Sequence, residues 1–193
     1  MKKLLLIFIL TFIFQSWSAA DDITDFQVEG VSIGDSLLDI ATVNQINKAK
    51  SKKQLKNSNF YRFDLGRLKD LEIYDWARVT IKKDDNSYTV INIGGAIDYT
   101  DFDECKKIKK DVQNGVEQIF TAIDKEETTF ASPQDETGNS IIHGVQYYTK
   151  PYPFNEAIVV NCYHMTEESN IKRSVIISVN SEEFAEYLVS LNN

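Results

Sequence analysis

Alternating apolar and polar positions predict β-strands in the middle and the C-terminal half of the chain, since this period is typical of strands with one buried face. We predict strands at 60–65, 73–82, 88–99, 141–148, 157–165 and 171–179. The turn residues at 84–86 join the second and third strands into a hairpin. The glycines Gly94 and Gly95 within a strand indicate a bulge or the close approach of a helix.

Apolar residues three and four positions apart predict helices. Two short helices are expected within 32–41 and 42–50, each opening with the spacing of a capping box. The clearest helix begins after Asp101, its expected N-cap, and carries a continuous apolar stripe. A last helix is expected after Ser181, with Phe184 facing inward.

The predicted order is helices, two or three strands, a helix, three strands and a helix. Strands joined by tight turns pair antiparallel, so the chain is predicted to be an α+β domain. We expect an antiparallel sheet of about five to six strands with helices packed on one face. The polar segment 124–140 is expected to be a loop, which at that length is either functional or disordered.

The first 20 residues have the three parts of a secretory signal peptide. Lys2 and Lys3 form a basic start, an apolar run covers 4–14, and Ser18-Ala19-Ala20 offers a cleavage site. The alternative, a membrane anchor, is disfavoured because a spanning helix needs about 20 apolar residues. We therefore expect residues 21–193 to be a single α+β domain, periplasmic or secreted, with no membrane span after cleavage.

The charge of the chain disfavours nucleic acids as partners. The full chain has 21 Lys and Arg and 29 Asp and Glu, and loss of Lys2 and Lys3 leaves 19 basic residues and a net charge of −10. Such an acidic surface repels phosphate backbones and anionic lipid headgroups.

The two cysteines, Cys105 and Cys162, are predicted to form a disulfide bond. Two cysteines of an exported chain usually pair in an oxidising compartment. Cys105 lies on the apolar stripe of the long helix, and Cys162 shares a strand face with Ile158 and Val160. A helix packed on a sheet brings such side chains together. The alternative is two buried free thiols.

No recognisable catalytic, metal-binding or cofactor-binding motif occurs, so we predict no such residues and no cofactor. The chain has no Gly-x-Ser-x-Gly elbow and no His or Cys pair with zinc spacing. His143 and His164 each fall on an apolar strand face, where a histidine is usually a core or rim residue. The acidic group at 98–104 offers oxygen ligands for calcium, but capping of the long helix explains it better.

The most unusual segment is 147–154, which has four aromatic residues and two prolines between predicted strands. Stiff aromatic connections present a binding face at low entropic cost. The candidate residues of such a binding loop are Tyr147, Tyr148, Tyr152 and Phe154. The alternative is a loop whose rings fold back over an open end of the sheet.

The segment from Asp22 to Asp39 resembles the start of a group of small uncharacterised exported proteins from marine bacteria. Those proteins are similar in also having a strand-rich middle and two spaced cysteines, and the resemblance covers most of the mature chain. The group has no established function, so the resemblance implies no catalytic residues.

Two classes of function remain. The first, which we favour, is a non-enzymatic domain of the cell envelope that binds a protein or a small ligand, and it predicts an aromatic patch without a deep polar cleft. The second is a periplasmic hydrolase, in which a concave pocket gathers His143 or His164 with carboxylates of perturbed pKa.

Overall fold

The computed structural model describes residues 22–52, 54–55, 58–120, 123–133, 135, 137–148, 156–169 and 172–191. These residues form a mixed fold of helices and strands, built on one antiparallel sheet of seven strands. The predicted α+β class is confirmed at this level. The predicted signal peptide lies outside the described residues.

The described residues form seven strands and three α-helices. The strands are β1 (Phe60–Asp64), β2 (Trp76–Lys82), β3 (Asn92–Asp98), β4 (Asp124–Ala131), β5 (Ile141–Tyr148), β6 (Ala157–His164) and β7 (Ser174–Asn180). The helices are α1 (Val43–Ala49), α2 (Phe102–Ile119) and α3 (Glu182–Ser190). The strand order is β1-β2-β3-β7-β6-β5-β4, so the two halves of the chain meet where β3 pairs with β7.

The edge strand β4 corrects three predictions: that 124–140 is a loop, that the sheet has five to six strands, and that three strands follow the long helix, where the structure has four. It pairs along its whole length with β5, from Asp124 opposite Tyr148 to Ala131 opposite Ile141. Seven of its eight side chains are exposed. A strand that is exposed on both faces has no apolar alternation, so its sequence resembles that of a loop.

One face of the sheet, here called the covered face, packs against α2, α1 and the N-terminal segment. Strand alternation operates as predicted, because Ile158, Val160 and Cys162 of β6 are all fully buried on this face. The segments that cover the face contribute further fully buried side chains to the same core, namely Ile23, Val28, Leu37, Ile46, Cys105 and Val116.

Helix α2 begins where the sequence predicts. The Asp101 carboxylate accepts hydrogen bonds from the backbone N–H groups of Asp103 and Glu104 at 3.0 and 2.9 Å. Glu104 in turn accepts from the backbone N–H of Thr100 at 2.8 Å. These acidic side chains therefore cap the helix, as expected.

The first of the two short predicted helices is reduced to a 3₁₀ turn, Leu37–Asp39, and its N-cap is Ser36. Leu38 and Ile40, which an amphipathic helix would bury, are 42% and 39% exposed. The second short helix is α1, and the predicted capping pair is present, since Gln45 Oε1 accepts from the backbone N–H of Thr42 at 2.9 Å.

Helix α3 lies on the opposite face from α2, which corrects the prediction that the helices pack on one face. Ser181 caps α3 as predicted, because its Oγ accepts from the backbone N–H of Phe184 at 3.4 Å. The Phe184 ring packs edge-on against Phe60 of β1, with centroids 5.7 Å apart. Phe60 alternates with Phe63, which belongs to the covered core. We call this second face, walled at one end by α3, the open face.

The edge of the sheet at β1 is closed at Arg62 by hydrogen bonds from Gln54 and Ser51. The Gln54 amide accepts from the backbone N–H of Arg62 at 2.9 Å and donates to its carbonyl oxygen at 2.7 Å. The backbone N–H of Ser51 donates to the same carbonyl at 2.8 Å.

In the parts of the chain that the structure describes, no helix combines the length and apolarity needed to cross a membrane.

Candidate functional site

A groove of about 360 Å³ crosses the open face of the sheet. Its volume falls within the range of small-molecule sites, roughly 300–1,000 Å³. Arg62, Trp76 and Arg78 line one end, and Asn161 and Tyr163 line the other. Phe184 and Leu188 of α3 complete the lining.

The groove follows from the register of the strands. The pairing places Arg78, Gly94, Ser178, Val159 and Gln146 in one row across β2, β3, β7, β6 and β5. The middle of this row has only a glycine and a serine, while longer side chains stand on both sides. A β-carbon at Gly94 would lie 3.1 Å from the backbone carbonyl oxygen of Ile177 in β7. There is therefore little room for a side chain at this position, and the groove is deep there.

At one end of the groove, two arginines share one carboxylate. Arg78 Nε lies 3.0 Å from Asp64 Oδ1, and Arg67 Nε lies 3.7 Å from Asp64 Oδ2. The Arg78 guanidinium also lies over the Trp76 ring, with Cζ 4.7 Å from the centroid. Because the carboxylate and the indole both contact Arg78, they restrict the orientation of its guanidinium.

Arg62 is the second cation at this end, and its side chain is half-buried. Among the described residues it forms no ion pair. Burial lowers the pKa of Arg62, and the nearby Arg78 guanidinium lowers it further, while Tyr187 and Asp64 oppose the shift. Arginine stays protonated in proteins, so Arg62 is a partly desolvated cation.

The floor of the groove is a network of amide and hydroxyl groups. The Asn92 amide donates to Asn180 Oδ1 at 2.8 Å and to Ser178 Oγ at 3.1 Å. Asn92 Oδ1 accepts from Thr80 Oγ1 at 2.9 Å, and Ser178 Oγ donates to Asn180 Oδ1 at 3.0 Å. Buried polar groups held in this way are fixed in position before any ligand arrives.

The far end of the groove is formed by β5 and β6. Tyr148 donates its hydroxyl to Gln146 Oε1. Burial raises the pKa of the Tyr163 phenol, and a hydrogen bond with Asn161 opposes the shift. The Asn161 side chain of β6 lies against the backbone of β5 at Gly144, since a β-carbon at Gly144 would come within 2.5 Å of Asn161 Oδ1.

The residues of the predicted binding loop do not form one surface in the described part of the chain. Tyr147 lies on β5, is fully buried on the covered face, and donates its hydroxyl to Glu117 Oε1 at 3.0 Å. Tyr148 is the next residue of β5 and points to the open face. Tyr152 and Phe154 lie outside the described residues, so their role stays a prediction.

Both histidines lie on the covered face, away from the groove. The His164 ring stacks on Phe102 of α2 at 4.0 Å, and the His143 ring lies 5.3 Å from the same phenylalanine. Burial lowers the pKa of His143, and electrostatic interactions with Lys109, His164 and Lys106 lower it further. The groove therefore contains neither histidine.

Cys105 of α2 and Cys162 of β6 form a disulfide-bonded pair, with α-carbons 5.8 Å apart. Both side chains are fully buried. This is the predicted pairing, and it is compatible with an oxidising compartment.

Within the described residues, no group of three or more His, Cys, Asp or Glu side chains is placed to hold a metal ion.

Sequence reasoning missed the groove. Its polar residues occupy the alternate positions of amphipathic strands, where a solvated face is the ordinary interpretation. The available signal was the type of polar residue, because β3, β6 and β7 place Asn92, Asn161, Ser178 and Asn180 on this face. Short amide and hydroxyl side chains on one face can form hydrogen bonds with one another. An ordinary solvated face has long charged side chains instead, which are hydrated by water.

Comparison with models of known protein families, with curated proteins and with solved structures found no match to this chain.

Proposed function

We propose that residues 21–193 form an exported, non-enzymatic binding domain of the cell envelope, periplasmic or secreted, and that a small ligand binds in the open-face groove. The observation that carries this proposal is the concave polar network at the centre of the sheet. It differs from our expectation of a binding face without a polar cleft.

The network has the features of a preorganised site. Asn92 and Asn180 are only 9% and 4% exposed, yet their amide groups lie at the floor of a cavity. A rigid strand scaffold positions polar groups more accurately than loops do. A ligand that matches these groups therefore binds without the entropic cost of ordering them.

The composition of the groove favours binding over hydrolysis. None of the described residues that line it is a His, Asp or Glu. The neighbouring carboxylate, Asp64, already pairs with Arg78 and Arg67. General acid–base catalysis needs a proton donor or acceptor within reach of the substrate, and the pKa of Tyr163 is raised, away from neutral pH.

Export is supported by two independent features. The N-terminal segment has the pattern of a cleavable signal peptide. The buried pair of Cys105 and Cys162 suits a compartment in which disulfides persist.

A variant that fills the groove tests the proposal. Val159→Trp adds a large ring to the middle row of the open face, on a strand where aromatic residues are favoured. The control is Ile73→Trp, which adds the same ring at a site that is 68% exposed. Small-molecule fractions of the envelope are titrated into ¹⁵N-labelled protein, and the perturbed amide resonances are mapped.

The expected result is that perturbations centre on the groove residues of β3, β6 and β7, persist in Ile73→Trp and disappear in Val159→Trp. Perturbations that survive in Val159→Trp, or that centre on 147–154 and are lost on replacing Tyr152 and Phe154 by Ala, would place the binding site elsewhere.

A further inference from the structure

We propose that the ligand of the open-face groove is an acceptor-rich oxyanion, whose carboxylate or phosphate group is bound by Arg62 together with Arg78. Hydroxyl or carbonyl oxygens of the same ligand then lie along the floor towards Gln146. This inference rests on the proposed function and adds the chemical class of the ligand.

The charge at the arginine end differs from that of the protein as a whole. The mature chain has a net charge of −10, yet the charged residues that line the groove are both arginines. Asp64 compensates Arg78 and Arg67 together, which leaves positive charge in excess at this end. A local cationic site in an acidic protein attracts small anions while the surrounding surface repels large polyanions.

The two guanidinium groups can converge on one anion. Arg62 pairs with Thr80 and Arg78 pairs with Asp64, so the two arginines are diagonal neighbours on adjacent strands. Diagonal positions on one sheet face are about 7–8 Å apart, which is within reach of two long side chains. The planar fork of arginine matches the oxygens of a carboxylate or a phosphate.

The floor of the groove towards Gln146 offers hydrogen-bond donors, because three of its amide oxygens are already engaged. Asn92 Oδ1, Asn180 Oδ1 and Gln146 Oε1 each accept from a neighbouring side chain. In contrast, the amide nitrogens of Asn180 and Gln146 donate to no described group. A ligand with oxygen acceptors satisfies these donors, whereas a cationic or donor-rich ligand does not.

Matched probe pairs test the class of ligand. Glucuronate is compared with glucose, and glucose 6-phosphate with glucose, since each pair differs in the oxyanion and keeps the sugar ring. Inorganic phosphate alone measures the contribution of the anion by itself. Affinities are obtained by calorimetry and by NMR titration of the mature protein with its disulfide intact.

Three variants assign the effect to the arginine end. Arg62→Gln should weaken the anionic probes by roughly tenfold or more and leave glucose unchanged, because it removes charge-assisted hydrogen bonds. Asp64→Asn should strengthen the anionic probes, since it removes a competing carboxylate. Lys107→Gln, at an exposed site on α2 away from the open face, changes the net charge equally to Arg62→Gln and should have no effect.

The outcomes separate this inference from the proposed function. Tighter binding of glucuronate or of glucose 6-phosphate than of glucose, lost in Arg62→Gln, supports the inference, and the preferred probe identifies the oxyanion. If glucose binds as tightly as the anions, or Arg62→Gln binds the anions normally, or no probe binds, the inference fails. The proposed function fails separately, if perturbations from envelope fractions survive in Val159→Trp. The amide spectrum of Arg62→Gln, recorded in the same NMR titrations, checks that its loss of binding is not caused by unfolding.

Discussion

The ring of Tyr74 lies against Gly95 so closely that a β-carbon at Gly95 would come within 2.5 Å of its Cδ1. Burial raises the pKa of Tyr74 to about 12, and the Glu29 carboxylate contributes to the shift. The glycine pair Gly94-Gly95 predicts a bulge or a packed helix, and both interpretations are wrong. The pairing of β3 continues through both glycines without a bulge, and the group that approaches is an aromatic ring.

This packing predicts that Gly95→Ala destabilises the protein by roughly 1–3 kcal/mol, the usual cost of overfilling a packed interior. Gly115→Ala is the matched control, because Gly115 lies within α2 and a β-carbon there would have no atom within 4 Å. Alanine there should stabilise by about 1 kcal/mol, since glycine disfavours helix interiors. Urea unfolding measures both, and a stability change of the same sign in the two variants would contradict the packing argument.

A second prediction concerns Glu29, whose carboxylate accepts from the backbone N–H groups of Glu72, Ile73 and Tyr74 at 2.8–2.9 Å. Burial opposes its ionisation, but these hydrogen bonds and the Lys69 ammonium hold its pKa below the usual value. Glu29→Gln replaces one acceptor oxygen by an amide donor, so we expect a loss of about 2 kcal/mol at neutral pH.

The sign of the pH dependence follows from the lowered pKa of Glu29. Its contribution is fully present above the unfolded value of 4.5 and is lost as the pH falls through the folded value. Unfolding free energies measured between pH 7 and pH 3 should therefore fall more steeply for the native protein than for Glu29→Gln. The exposed Glu186→Gln serves as the control. Parallel curves for the native protein and Glu29→Gln would exclude this role.

The parts of the fold that the sequence predicted correctly are those in which one face of an element is buried. The burial of Ile158, Val160 and Cys162 produces the period of two from which β6 was predicted. The caps Asp101 and Ser181 were predictable because capping is local chemistry. In contrast, β4 has no buried face, and its pairing with β5 depends on contacts across the sheet that no local pattern shows.

A local sequence pattern also could not predict on which side of the sheet a helix packs. Phe184 marks the inward side of α3 correctly, but its partner Phe60 lies on the face opposite to that of α2. The groove exists because α3 covers only one end of that face. It could not be inferred from the sequence, since the positions of Arg62 and Arg78 relative to Asn180 depend on strand order and register.

A third prediction concerns the pair of Cys105 and Cys162. The bond closes a sequence separation of 57 residues, for which the chain-entropy model gives a stabilisation of about 4 kcal/mol. Thiol titration of the denatured protein should detect no free thiol before reduction and two after it. The double substitution of both cysteines by Ser should lower the unfolding free energy by a comparable amount. Two reactive thiols without reduction would rule the bond out.

The last prediction follows from the lowered pKa of His143, whose causes are burial first and then the charges of Lys109, His164 and Lys106. Below the unfolded value of about 6.5, the unfolded chain binds a proton that the folded protein resists, so stability should fall as the pH decreases from 7.5 to 5.5. His143→Gln should flatten this slope. Thr129→Val, which removes the hydroxyl 3.3 Å from His143 Nδ1, should retain it, because it changes neither the burial of the ring nor the neighbouring charges. Melting temperatures measured between pH 7.5 and pH 5.5 test this prediction. If the melting temperature of the native protein and that of His143→Gln depend equally on pH, the folded state accepts the proton as readily as the unfolded chain.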